Sequence, residues 1–230
     1  MDPQKLVIAI DGPAASGKST TAKLVARKLA YLHVDTGAMY RAVTVKVLRA
    51  GLALDDQRGI GKLMESTHVE LRGVDGELQV LLDGEDVSDE IRSVAVTRAV
   101  SAVSSMREVR QAMVREQLAL GRDGGIVLEG RDIGTVVFPD ADLKFFMVAG
   151  IEARAHRRRL DLAADGVDAD LGTLMREIEE RDRKDSSRRE SPLRKAEDAV
   201  EIDTSSLTIE EQVNMVVRIV REKLGQTGER

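Results

Sequence analysis

The sequence predicts an α/β fold, a parallel sheet flanked by helices, and three observations predict it. Lys5–Ile10 is a short apolar run, rich in β-branched residues, that reads as a buried parallel strand. A glycine-rich stretch follows it and opens directly into a helical pattern. Strand-like and helical segments then alternate to the C-terminus, the rhythm of a parallel sheet covered by helices.

Each element has its own justification. Residues 19–30 carry Ala22, Val25, Ala26 and Leu29 at helical spacing, and residues 37–50 repeat the pattern with Met39, Val43, Val47 and Leu48. The texture changes at about residue 68. Val69 and Leu71, then Leu78, Val80 and Leu82, alternate around two Asp-Gly turn signals at 75–76 and 83–84. This antiparallel ribbon and the helical stretch after Ser93 read as an insert over roughly 63–100, while Leu54-Asp55-Asp56 reads as a solvated helix start. The α/β rhythm resumes with a helix over about 106–120 and strands at 125–129 and 142–148. A very basic helical region follows over about 152–190, then a strand at 199–203 and a helix over about 208–224. Thr208 with Glu211 makes a capping box for that last helix. No repeat or low-complexity linker interrupts the chain.

Composition excludes several classes. At 230 residues the chain can bury one substantial core, and 42% hydrophobic with 33% charged residues is globular rather than disordered. Aromatic residues are 2% of the chain, too few for the stacking platforms of single-strand nucleic-acid binders, and a net charge of −5 argues against a general polyanion binder. No nucleic-acid partner is expected. There is no cysteine, so neither a disulfide nor a thiolate metal site holds the fold. His33, His68 and His156 lack metal-ligand spacing, so no zinc site is expected, and the methionines at helical spacing read as core filler. The N-terminal apolar run is too short for a membrane span and lacks a signal-peptide plan, so the expectation is a cytoplasmic chain without a membrane partner.

The strongest local signal is Gly12-Pro13-Ala14-Ala15-Ser16-Gly17-Lys18-Ser19, a full match to G-x-x-x-x-G-K-[ST] between a strand and a helix, extended by Thr20. Its glycines let backbone N–H groups wrap a phosphate, and the following helix N-terminus favours anions. Lys18 reaches the β- and γ-phosphates, and the Ser19 hydroxyl ligates magnesium. The fold class is therefore a P-loop NTPase-type sheet.

The loop alone names no reaction. No guanine-reading N-K-x-D segment is present, which speaks against a regulatory GTPase. A small kinase needs a second anion pocket and an arginine-rich cover. Asp35-Thr36-Gly37-Ala38-Met39-Tyr40-Arg41 again sets glycine at a helix start, and Gly130-Arg131-Asp132 follows a strand at the end where α/β sheets bind ligands. Arg154, Arg157 and Arg158 fall at i, i+3 and i+4, and Arg181, Asp185 and Arg188 at i, i+4 and i+7, so each set shares a helical face. Guanidinium forks match phosphate oxygens. The competing reading is a solvated helix laced with ion pairs, because Glu177, Glu179 and Glu180 interleave with these arginines.

Together these residues resemble the bacterial cytidylate kinase family over nearly the whole chain. The resemblance rests on IDGPAASGKST, VDTGAMYRAV, DGEDVSDEIR, VSAVSSMREVR, EGRDIGTVVFPDA, ARAHRRR and the RDRKDSSR stretch before SPL. It implies a monomer that moves the γ-phosphoryl group of ATP, with magnesium, onto CMP or dCMP. It also implies a core of 1–62, 101–151 and 189–230, a monophosphate-binding insert at about 63–100 and a helical Arg-rich lid at about 152–188. By similarity Thr36, Arg110, Asp132 and Arg188 read the cytosine, Ser101, Arg181 and Asp185 contact the sugar, and Arg41 and Arg131 hold the acceptor phosphate. Gly37 and Tyr40 belong to the same CMP site. Lys18, Arg131, Asp132 and Arg158 are the expected catalytic groups, and Arg157 joins the ATP site. Glu129, ending a strand, is placed behind the magnesium. Several family members carry Ser where Thr36 stands, which keeps the hydroxyl. The alternatives are another P-loop kinase, acting on UMP, AMP or shikimate, and a nucleotide-dependent regulatory module.

Overall fold

The computed structural model describes residues 5–74, 77–164 and 166–227, so the expected turn at Asp75-Gly76 lies outside the described residues. Two compact units divide the chain, Met1–Val34 with Asp123–Arg230, and Asp35–Arg122.

The first unit is built on a five-stranded sheet in the order β2-β6-β1-β7-β8, comprising β1 (Val7–Asp11), β2 (Leu32–Asp35), β6 (Ile126–Gly130), β7 (Leu143–Val148) and β8 (Val200–Asp203). The pairs β1–β6, β1–β7 and β7–β8 are parallel. The central strand is covered on both faces, which is why its sequence is continuously apolar and Ile8, Ala9 and Ile10 are wholly buried. Helices α1 (Lys18–Leu29) and α8 (Ile209–Thr227) pack together on this sheet. Ala22, Val25 and Ala26 of α1 share one core with Val213, Val216, Val217 and Val220 of α8 and Phe145 of β7. The predicted capping box is present: Glu211 N–H donates to Thr208 Oγ1 (3.2 Å), and Thr208 N–H donates back to Glu211 Oε2 (2.8 Å).

The basic region, read as one helical stretch, is two helices, α6 (Ile151–Ala164) and α7 (Leu171–Ser187). Gly166, at φ 76, and the Asp170 side chain, which accepts from Thr173 N–H at 2.7 Å, punctuate it. The pair closes over a small core of Ala155, Leu174 and Ile178. The strand β2 had no signal in the sequence reading, because four residues, LHVD, are too few to show a period.

The second unit contains α2 (Thr36–Arg49), α3 (Gln57–Met64), strands β3 (Val69–Val74), β4 (Glu77–Leu82) and β5 (Glu85–Asp86), α4 (Val94–Val103) and α5 (Arg107–Leu120). The predicted alternation holds: Val69 pairs with Leu82 and Leu71 with Val80, all four buried. The ribbon has a third strand, β5, reached through Asp83-Gly84 at φ 51 and 88, the double positive φ of a tight hairpin turn. Asp56 and Ser93 cap α3 and α4, where the sequence marked helix starts. Among the described residues, no helix is long and apolar enough to cross a membrane.

Candidate nucleotide site

The loop from Gly12 to Ser19 joins β1 to α1 and lies beyond the carboxyl end of the central strand. Its glycines have separate reasons. A Cβ on Gly12 would fall 2.3 Å from the Met147 carbonyl, and Gly17 caps the helix at φ 89, a conformation few side chains adopt. Ala14 and Ser16 are buried within the loop, Pro13 and Ala15 half-buried, while Ser19 and Thr20 are exposed at the helix start. Lys18 is buried, its Nζ 3.4 Å from the Pro13 carbonyl. The Ser16 hydroxyl is buried without a hydrogen-bond partner among the described residues.

Behind the loop stands Glu129, at 2% exposure. Ser19 Oγ donates to its Oε2 at 2.5 Å, and His33 Nε2 lies 3.3 Å from its Oε1. Burial alone would push this carboxyl up. The His33 hydrogen bond, the Lys18 charge and the Ser19 hydroxyl outweigh that and hold it below the usual carboxylate range. A buried, ionised carboxylate beside an exposed hydroxyl is a hard-oxygen pair that suits magnesium. No group of three or more His, Asp or Glu side chains able to hold a metal exists among the described residues.

The turn after β6 is organised from β1. Both oxygens of the buried Asp11 carboxylate accept backbone N–H groups, from Ile133 at 2.9 Å and Gly134 at 2.8 Å. These are the first amides of a wide helical turn, Ile133–Val137, which would otherwise bury unsatisfied donors. At Gly134 a Cβ would come within 3.1 Å of the Lys144 side chain, which would have to shift slightly to admit it. Arg131 and Asp132 precede this turn, and Asp132 is buried. Burial, partly countered by the two amides, raises the Asp11 carboxyl to about 6.

The structure brings Arg131, Asp185 and Arg188 together. Arg131 Nε donates to Asp185 Oδ2 at 2.9 Å, and Arg188 forms an ion pair with Asp185 Oδ1. Burial would raise the Asp185 carboxyl, but the charges of Arg131 and Arg188, with a lesser part from Arg181, hold it low. The arginines of α6 diverge in role. Arg154 is buried, ion-paired with Asp182 and 3.4 Å from the Ala14 carbonyl. Arg157 donates to the Oγ1 (3.0 Å) and the carbonyl of Thr204, and the half-buried Arg158 has no ion pair among the described residues.

In the second unit, Asp35 caps α2 through Ala38 N–H (3.0 Å), and Thr36 is buried in the first turn beside the exposed Gly37. Arg110 is buried and its guanidinium lies 5.2 Å from the centre of the buried Tyr40 ring, a cation–π contact, while its NH1 donates to the Ser104 carbonyl at 3.1 Å. Arg41 NH1 donates to Thr97 Oγ1 (3.0 Å) and the Ile91 carbonyl (3.2 Å), and Ser101 is half-buried on α4.

Three residues of these arrangements, Asp11, His33 and Thr204, went unremarked as site residues in the sequence. Asp11 directly precedes the loop and was visible only as part of Asp-Gly-Pro. Arg154 was visible in the i, i+3, i+4 spacing. His33 and Thr204 had no local signal, because strand pairing and the β8–α8 connection bring them in.

Comparison with known proteins agrees with this geometry. The sequence model of the cytidylate kinase family matches residues 8–222. A cytidylate kinase from a Geobacillus species is 51% identical over 218 residues, covering 95% of this chain and 97% of that protein. The cytidylate kinase of Geobacillus thermodenitrificans is 50% identical over 222 residues (96% and 99% coverage). That of Ligilactobacillus salivarius is 49% identical over 220 residues (96% and 98%). With a P-loop and a buried acidic partner for its serine inside a match spanning nearly the whole chain, this protein belongs to the cytidylate kinase family.

Proposed function

We propose that the chain transfers the γ-phosphoryl group of ATP to CMP or dCMP, giving ADP and CDP or dCDP. The family match over residues 8–222 carries this reading, because the P-loop, the DTGAMYR element and the GRD turn all fall within it.

The P-loop amides and Lys18 would take the ATP phosphates, with Arg157 and Arg158 supplying further positive charge. Ser19 would ligate magnesium directly and Glu129 would sit behind it. When bound, the ion would supply positive charge to offset that of the ATP phosphates. A phosphate monoester is already an adequate nucleophile, so no general base is required, and positioning with charge compensation does most of the work. Arg41 and Arg131 would hold the acceptor phosphate, and Ser101, Arg181 and Asp185 the sugar. In this reading residues 63–100 serve as the monophosphate-binding insert, residues 152–188 as the lid, and the chain works as a monomer.

Base choice follows from donor and acceptor chemistry. Cytosine offers an amino donor at C4 and acceptors at N3 and O2. Asp132 and the Thr36 hydroxyl suit the donor, while Arg110 and Arg188 suit the acceptors. Uracil would turn a carbonyl oxygen toward Asp132 and an N–H toward an arginine. Two such mismatches would cost roughly 2–6 kcal/mol, about 30-fold or more in kcat/KM. The test is ADP release from ATP and magnesium with CMP, dCMP, UMP, AMP or no acceptor. Release with CMP and dCMP alone supports the assignment. Comparable turnover of UMP would sink the base-reading residues, and equal release without acceptor would move the chain to the regulatory class.

A further inference from the structure

Thr204 is fully buried at the end of β8, outside every motif described above, yet its hydroxyl touches two parts of the nucleotide machinery. Thr204 Oγ1 lies 2.8 Å from the Ser16 carbonyl and 3.1 Å from that of Val148, and it accepts from Arg157 NH1 at 3.0 Å. A hydroxyl has one proton to give. The Val148 carbonyl already accepts the Thr204 N–H at 2.8 Å, so the proton belongs to the closer Ser16 oxygen.

That assignment matters because of the peptide bond between Ser16 and Gly17. A trans peptide is planar, with its C=O and the following N–H pointing in opposite directions. Holding the Ser16 carbonyl on Thr204 therefore turns the Gly17 N–H away from Thr204. Gly17 is the cap residue of α1 at φ 89, a position where glycine has unusual freedom to rotate. Its amide is one of those expected to face phosphate. The same hydroxyl receives Arg157, and the Thr204 carbonyl receives the other end of that guanidinium. One buried side chain thus orients a P-loop amide and seats an arginine of α6.

We propose that Thr204 is a positioning residue for ATP, acting through the Ser16–Gly17 peptide and Arg157 without touching the nucleotide. The inference rests on the reading of this loop as an ATP site. It predicts that Thr204→Val, which keeps the shape and removes the hydroxyl, weakens ATP about tenfold, the change expected when one oriented donor is lost. The KM for CMP stays within about twofold, because the acceptor residues are elsewhere. Thr204→Ser restores ATP affinity to near wild type.

The experiment is equilibrium binding of ATP by calorimetry in chelator, without metal or acceptor, beside steady-state KM values for both substrates. Thermal unfolding of each variant checks that it is folded. Should Thr204→Val fail to fold, Thr204→Ala removes the same hydroxyl without branching and is expected to show the same loss. Wild-type affinity in whichever hydroxyl-free variant folds overturns the proposal. A Ser variant as weak as the Val variant also overturns it, because the methyl group would then be the active part. Equal rises in both KM values would mean a general distortion and overturn it as well. Wild-type protein that binds ATP but gives no CMP-dependent turnover would remove the kinase assignment, while the binding arm still decides the role of Thr204.

Discussion

Burial raises the Asp11 carboxyl from 3.8 to about 6, even though two backbone amides favour its charged form. The sign of the consequence is definite. Between those values the folded chain holds a proton that the unfolded chain releases, so stability falls as pH rises across the window. About two units correspond to roughly 3 kcal/mol. In Asp11→Asn this contribution is absent. The stability of wild type relative to the variant is therefore expected to fall by roughly that amount between pH 4 and pH 7, superimposed on a constant loss from the weakened clamp. Urea titrations of both proteins at those two pH values measure it, and parallel pH curves would refute the raising of this carboxyl by burial. The sequence offered little here. Asp11 follows an apolar run and precedes a proline-containing loop, and nothing local shows that its partners stand more than 120 residues away.

Helix α7 was legible as a helix, and its Arg181, Asp185 and Arg188 were legible as one face. What their spacing left open was whether that face is solvated. The structure answers with Asp185 at 1% exposure between Arg131 and Arg188. Removing a carboxylate from such a pair leaves two cations short of their partner, so Asp185→Ala is expected to cost roughly 3 kcal/mol or more in urea unfolding at neutral pH. Because the folded carboxyl is held low, its contribution is present at neutral pH and fades as pH falls through the depressed value. The gap between wild type and variant should therefore narrow in acid. A solvated ion-pair face would instead give less than about 1 kcal/mol. The break between α6 and α7 falls in a short stretch with one glycine, Gly166, as its local mark, and the apolar stripe that defines two separate helices is thin: buried Ala155 on one, Leu174 and Ile178 on the other.

At the scale of the whole molecule, the chemistry assigned to the chain predicts ligand-linked stability. A monophosphate that binds only the folded chain adds about 2.7 kcal/mol at one hundred times its Kd. CMP at that concentration should raise the unfolding temperature by several degrees, roughly 2–4 °C for each kcal/mol in a chain of this size. UMP at the same concentration should shift it far less. Differential scanning calorimetry checks both without any turnover, and equal shifts by CMP and UMP would count against Asp132, Arg110 and Arg188 as readers of the base.

Sequence alone determined the parallel α/β class, the phosphate loop, the capping box and the antiparallel ribbon. These depend on spacing within a dozen residues: continuous apolar strands, glycines at forced turns, alternation at period two and a side chain reaching back three positions. The tertiary structure alone decided which polar groups share a partner. Glu129 meets Ser19 and His33, Asp11 holds the turn after Asp132, and Thr204 holds the Ser16 carbonyl. These contacts join residues some 95 to 190 positions apart. They exist because parallel pairing sets the carboxyl ends of β1 and β6 side by side, and β8 beside β7, whose carboxyl end the P-loop closely approaches. No periodicity along the chain encodes that adjacency. It follows from the order in which the strands are laid down.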